Sequence, residues 1–137
     1  MTSEIGSTSG SDTRQPRSLM EGLMLFDLHE EIRKLRSEGP WKQGDRNSRT
    51  LAKDVDFRVL LSVLKSGAEL DEEDGDARVS VQLIAGSARL ATESGSAELH
   101  AGQLAAIDAG QRWRLSATDD CAVVTTLAWP REKAVQD

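Results

Sequence analysis

Gly67-Ala68-Glu69-Leu70-Asp71-Glu72-Glu73-Asp74-Gly75-Asp76-Ala77-Arg78-Val79-Ser80-Val81-Gln82-Leu83-Ile84-Ala85-Gly86 sets an acidic turn between two apolar strands. Beyond the turn, Val79, Val81 and Leu83 alternate with Ser80, Gln82 and Ile84, so one face is wholly apolar and the other mixed. That is the pattern of a strand with one wet face. Before the turn, Phe57-Arg58-Val59-Leu60-Leu61-Ser62-Val63-Leu64 is rich in apolar and β-branched residues, bounded by Asp56 and by Lys65-Ser66-Gly67. This too is a strand, with apolar groups on both faces.

Downstream, further short strands are expected over 88–92, 97–100, 104–107, 113–117 and 121–129. Turn signals part them: Ala85-Gly86, Ser94-Gly95, Ala101-Gly102, Ala109-Gly110 and Thr118-Asp119-Asp120. Seven or more short strands after one helix indicate an all-β chain, an antiparallel barrel or sandwich. In the last strand neither Cys121, Val123, Thr125 and Leu127 nor Ala122, Val124, Thr126 and Ala128 bring a charge. Such a strand, like 57–64, is expected to lie under the helix or under a second subunit.

Upstream, Asp27 followed by Glu30 resembles a capping box, and Leu28, Ile32 and Leu35 recur at helical spacing. Glu30 can pair with Lys34, and Gly39-Pro40 supplies a stop, so one amphipathic helix is predicted over about 28–38. His29 beside its stripe reads as an exposed helical residue. Residues 1–18, dominated by Ser, Thr, Gly and charged groups, are expected to be a disordered tail. The patch Leu19, Met20, Leu23, Met24, Leu25 and Phe26 is expected to pack across the domain or a partner subunit.

With 137 residues the chain has room for one domain and one core. The net charge of -6 argues against nucleic acid or an anionic membrane as partner, since both demand a positive face. No apolar run reaches membrane-helix length, and the N-terminus is too polar for a signal peptide, so a cytoplasmic protein is expected. Cys121, the single cysteine, can form no intramolecular disulfide and reads as a buried strand thiol.

The glycines carry a family resemblance. Gly67 and Gly86 stand in register with the first cupin motif, G-x5-H-x-H-x3-4-E-x6-G, but Glu73, Gly75 and Val79 occupy its His, His and Glu positions. Gly102 and Gly110 match the second motif, G-x5-P-x-G-x2-H-x3-N, with Asp108 for the proline, Trp113 for the histidine and Ala117 for the asparagine. Fifteen residues, 87–101, separate the motifs, as in small cupins. The segments 44–51 and 127–130 also resemble small bacterial one-domain cupins with an N-terminal helix, so the likeness runs over about 27–130. It implies a jelly-roll β-barrel at 44–130, preceded by an N-terminal segment and helix at 19–43 and followed by a C-terminal tail at 131–137.

Cupin metal sites join three His and one Glu inside the barrel, because imidazole and carboxylate suit Fe, Mn, Zn or Ni and leave open positions for substrate. None of the four is retained here. The resemblance therefore implies a metal-free, cofactor-free and non-catalytic binding, sensing or interaction module, expected to form a homodimer and to take a small-molecule ligand. Trp113 would occupy the space of the metal, as a plug or as the wall of an aromatic pocket. Ligand contacts are expected from Trp113, Glu73, Gln82 and Arg46; an arginine on the approach to the barrel could clamp a carboxylate. Arg46, Asn47 and Arg49 also read as partners for the chain's own acids. The alternative is a metal-independent isomerase or lyase with His100 as base and Glu98 as its orienter. The cluster Glu69, Asp71, Glu72, Glu73, Asp74 and Asp76 reads as a solvated loop, since its spacing fails the calcium-loop pattern.

Overall fold

A computed structural model describes residues 22–72 and 75–130. The expectations for 1–18, Leu19, Met20, Glu73, Asp74 and 131–137 lie outside the described residues.

The chain is mostly β. Two short helices, α1 (Leu28–Arg36) and α2 (Gly39–Gln43), precede the strands β1 (Arg46–Asp54), β2 (Phe57–Leu64), β3 (Glu69–Glu72), β4 (Arg78–Ala85), β5 (Ser87–Thr92), β6 (Gly95–His100), β7 (Leu104–Ile107), β8 (Trp113–Ala117) and β9 (Cys121–Ala128). They form two antiparallel sheets, ordered β1-β2-β9-β4-β7 and β3-β8-β5-β6. A closed barrel would need an edge strand of one sheet to pair with an edge of the other. Among the described residues no such pairing exists, so the expected barrel is instead an open sandwich of two facing sheets.

The alternation read from the sequence decides what lies between them. Val79, Val81 and Leu83 of β4, and Cys121, Val123 and Leu127 of β9, meet Leu90, Leu99, Trp113 and Leu115 of the second sheet in one core. The opposite face of the first sheet, with Leu51, Leu61, Val63 and Ala122, is covered by Ile32 and Leu35 of α1. Each of those two side chains contributes roughly 1.5–3 kcal/mol by leaving water. A nine-residue helix needs such docking to persist. Residues 61–64 of β2 and 121–123 of β9 are thus buried on both faces by the chain itself, whereas 57–60 are half-buried.

Polar groups fix the helix on the sheet. The Asp27 side chain accepts from the Glu30 N–H at 3.2 Å and caps α1. Glu30 pairs with Arg33, one position short of the expected Lys34. The guanidinium of Arg49, almost wholly buried, reaches Glu31 at 2.6 Å and Glu38 at 2.9 Å, while Asn47 Nδ2 donates to the Leu35 carbonyl at 3.0 Å. Gly39-Pro40 ends α1 as expected, but it also starts α2, because proline at the first turn lacks only an N–H that a helix start leaves unbonded.

Candidate functional site

One end of the sandwich gathers the positions that matter. Val79 opposes Leu127 on β9 and Ile107 on β7, and the Gly110 N–H donates to the Gly75 carbonyl at 2.5 Å, tying the β7–β8 turn to the start of β4. Trp113 follows that turn at the first position of β8, opposite Thr92 on β5 and Glu72 on β3. Burial alternates along β8, with Trp113, Leu115 and Ala117 turned inward and Arg114 and Ser116 outward. Trp113 is 5% exposed and belongs to the inter-sheet core. An open groove of about 580 Å³ runs past its edge, lined by Asp71, Ala91, Thr92, Glu93, Arg112 and Arg114.

The other expected site residues are not brought to this interior. Gln82 shares the outer face of β4 with Ser80 and stands opposite Leu104 and Val124, so it cannot line a space between the sheets. Arg46 is exposed at the start of β1, where it pairs with Asp45 at 3.1 Å and donates to the Glu69 carbonyl. Its hydrogen bond holds the Asp45 carboxyl below its usual pKa. His100 is exposed on the outer face of β6, opposite in direction to the buried Leu99, and its backbone N–H donates to Gln103 Oε1 at 2.8 Å. Glu98 lies on that same outer face and accepts from the Thr118 hydroxyl at 3.2 Å. His29 is exposed.

The acidic stretch is not wholly a loop. Glu69–Glu72 forms edge strand β3, whose Asp71 carboxylate accepts from Arg114 Nε at 3.0 Å. That bond, with the nearby charge of Glu69, raises the Arg114 pKa. Among the described residues no group of three or more His, Cys, Asp or Glu is arranged to hold a metal. Cys121 is fully buried, and desolvation pushes its thiol up to about 11, so it is a packing residue and not a nucleophile.

Two residues not expected at the site, Thr125 and Arg58, bring polar atoms to the interior, Thr125 as a buried residue and Arg58 as a half-buried one. Thr125 Oγ1, Trp113 Nε1 and Arg58 Nε are buried atoms that find no hydrogen-bond partner. A buried donor left in this state costs on the order of 1–3 kcal/mol. The only signals were a charge at the second position of the apolar run 57–64 and a hydroxyl in a strand without charges. Arg58 instead lies over the Trp129 ring, 5.1 Å from its centroid.

No family model matches the sequence, and no curated protein does. Solved structures do. The conserved protein SPY1581 of unknown function from Streptococcus pyogenes aligns over 80% of this chain and 90% of its own, with a TM-score of 0.65 at 20% identity. A cupin superfamily protein from Desulfitobacterium hafniense aligns over 62% and 78%, with a TM-score of 0.59 at 13% identity. The Cupin_2 domain of an XRE family transcriptional regulator from Enterobacter cloacae aligns over 64% and 99%, with a TM-score of 0.57 at 14% identity. Likeness at these identities speaks of architecture: the chain has the jelly-roll fold of these cupin structures.

Proposed function

We propose that the chain is a non-catalytic, metal-free binding module built on the cupin fold. The observation that carries this reading is Trp113, whose indole stands inside the sandwich at the position where the family's second motif has histidine. It shares the inter-sheet core with aliphatic residues, among them Val79, Val81, Ile107, Leu115 and Leu127. Such side chains neither coordinate a metal nor move a proton. The enzyme alternative loses support, because His100, the base it requires, faces solvent away from this interior. The fold also occurs as a domain of a transcriptional regulator in one neighbour, which fits a binding role. Elemental analysis of protein purified without chelator checks the reading. Well under one Fe, Mn, Ni or Zn per chain is expected, and about one tightly held metal per chain would overturn it.

The module is further proposed to be a homodimer. Leu23 and Leu25 are 84% and 88% exposed in the stretch before α1, and Leu104 on edge strand β7 is also exposed. Apolar groups left bare beside a sheet edge favour association. A two-fold interface of strands and the N-terminal segment is expected to include some of Leu23, Phe26, Phe57, Leu60 and Leu64; of these Leu23 is exposed, whereas Leu64 is fully buried and Leu60 packs against the core. Light scattering at micromolar concentration should give twice the 14.9 kDa chain mass; a species of 14.9 kDa would refute the dimer. Among the described residues no helix is long and apolar enough to cross a membrane. A cytoplasmic location remains part of this proposal.

A further inference from the structure

The outer face of the first sheet is only partly covered. Along β9, Ala122, Val124, Thr126 and Ala128 share that face by alternation, and α1 covers the Ala122 end. Ladder pairing puts Ala106, Ser80 and Thr126 in one row across β7, β4 and β9, and Arg78 beside Ala128 in the next row. The small side chains of these rows floor an open groove of about 490 Å³. Arg78 and Asp108 pair at its rim at 3.1 Å, so the lining is neutral overall. Ala106 and Ala128 are exposed, and Leu104, two positions before Ala106 on the same face of β7, is 56% exposed.

The chain carries a complement to this groove on the same side. In Gly22-Leu23-Met24-Leu25-Phe26, which leads into α1, burial alternates: Met24 and Phe26 are half-buried, whereas Leu23 and Leu25 point to solvent. Phe26 packs on the cluster under α1, against which Val59 and Val124 of the sheet's outer face also pack. The two leucines thus stand on the outer side of the first sheet, yet they do not line the chain's own groove. Alternation of this kind belongs to an extended chain, where such neighbours lie roughly 7 Å apart, the spacing of the two rows that floor the groove.

Charge selects the partner. Like the groove, the stretch 22–26 has no net charge. Two chains of net charge -6 meet at least cost where neither side adds charge, because like charges brought together across an interface repel. A strongly charged partner would find no unpaired opposite charge in this groove.

We propose that Leu23 and Leu25 of one protomer enter the groove over Ser80, Ala106, Thr126 and Ala128 of its partner, with the same contact made in return. Such reciprocity is what a two-fold interface requires, since one patch meets its own copy. It also takes the exposed leucines out of water. This rests on the homodimer reading and names the surfaces that make the dimer.

Sedimentation equilibrium of the full chain tests the interface, with Leu25→Glu, Ala106→Arg and an equimolar mixture of the two. Both positions are exposed, so each variant should keep the wild-type circular dichroism spectrum. Each variant alone should dissociate at least about tenfold more readily than the wild type, because a charge is forced into an apolar contact. The mixture should associate at least about tenfold more tightly than either variant alone. One of its two contacts is native, and in the other the introduced carboxylate meets the introduced guanidinium. Wild-type dimers with no weakening in either variant, weakening in only one of them, or a mixture no tighter than its parents would each overturn this interface and leave the dimer reading standing. A wild-type chain that sediments at 14.9 kDa at micromolar concentration would overturn the dimer reading and the interface with it.

Discussion

Trp113→Ala is expected to lower the stability of the domain by about 3–5 kcal/mol, as truncation of a buried tryptophan does. The indole is 5% exposed and packed among side chains of both sheets, so its removal leaves a void that strands held in a ladder can only partly close. A domain whose total stability is on the order of 5–15 kcal/mol would lose a large share of it. Trp113→Phe should cost much less, since the ring largely remains and an unpaired N–H is removed with the indole. Urea unfolding of the three proteins, followed by far-ultraviolet circular dichroism, measures both differences. A loss below about 1 kcal/mol for Trp113→Ala would show that the side chain walls an open pocket and fills no core.

Gly86→Ala is expected to destabilise by about 3 kcal/mol, from backbone strain added to overpacking. Gly86 joins β4 to β5 with φ at +81°, a conformation that side chains rarely adopt. A Cβ there would stand 2.1 Å from the Asp120 carbonyl oxygen and 2.9 Å from the Cys121 Cα, both backbone atoms of the strand entry opposite. Neither atom belongs to a flexible side chain, so the turn or the start of β9 must move. The same denaturation experiment applies; Gly102→Ala, at a φ of +92° with nothing within 4 Å, separates strain alone from the close approach. Equal losses in the two variants would contradict the steric account.

These two glycines also show why much of the architecture was legible. Positive-φ turns at Gly67, Gly86, Gly102 and Gly110 punctuate the chain where strands end, and alternation between them names the inward face of β4 and β8. What escaped was polar. β1 reads Arg-Asn-Ser-Arg-Thr-Leu-Ala-Lys-Asp, and its buried Leu51 and Ala52 are adjacent because a register shift between Thr50 and Ala52 breaks the period of two. β3 is four residues long and mostly acidic, so its membership of a sheet edge depends on pairing with β8, which no local pattern reveals.

The candidate site was legible only at Trp113. Gln82, expected to contact the ligand, alternates with Val81 and Leu83, the residues that do face inward. Arg58 and Thr125 carry no local signature, because what marks them is the absence of a partner after the sheets have formed. Arg49, by contrast, was legible as a structural ion pair, and it holds the helix to β1 through Glu31 and Glu38.

The central claim is that the interior lacks a ligand set, and that Trp113 is not merely covering one. Trp113→His tests it most directly. The substitution restores one imidazole at the family's position, yet Val79 offers an aliphatic side chain and Gly75 none. After incubation with Fe(II) or Ni(II) and exhaustive dialysis, elemental analysis of the variant should find far less than about one metal per chain, because a lasting site takes three or four protein ligands. Retention of about one iron or nickel per chain by Trp113→His would contradict the account, since it would mean that the remaining ligands are present in this interior after all.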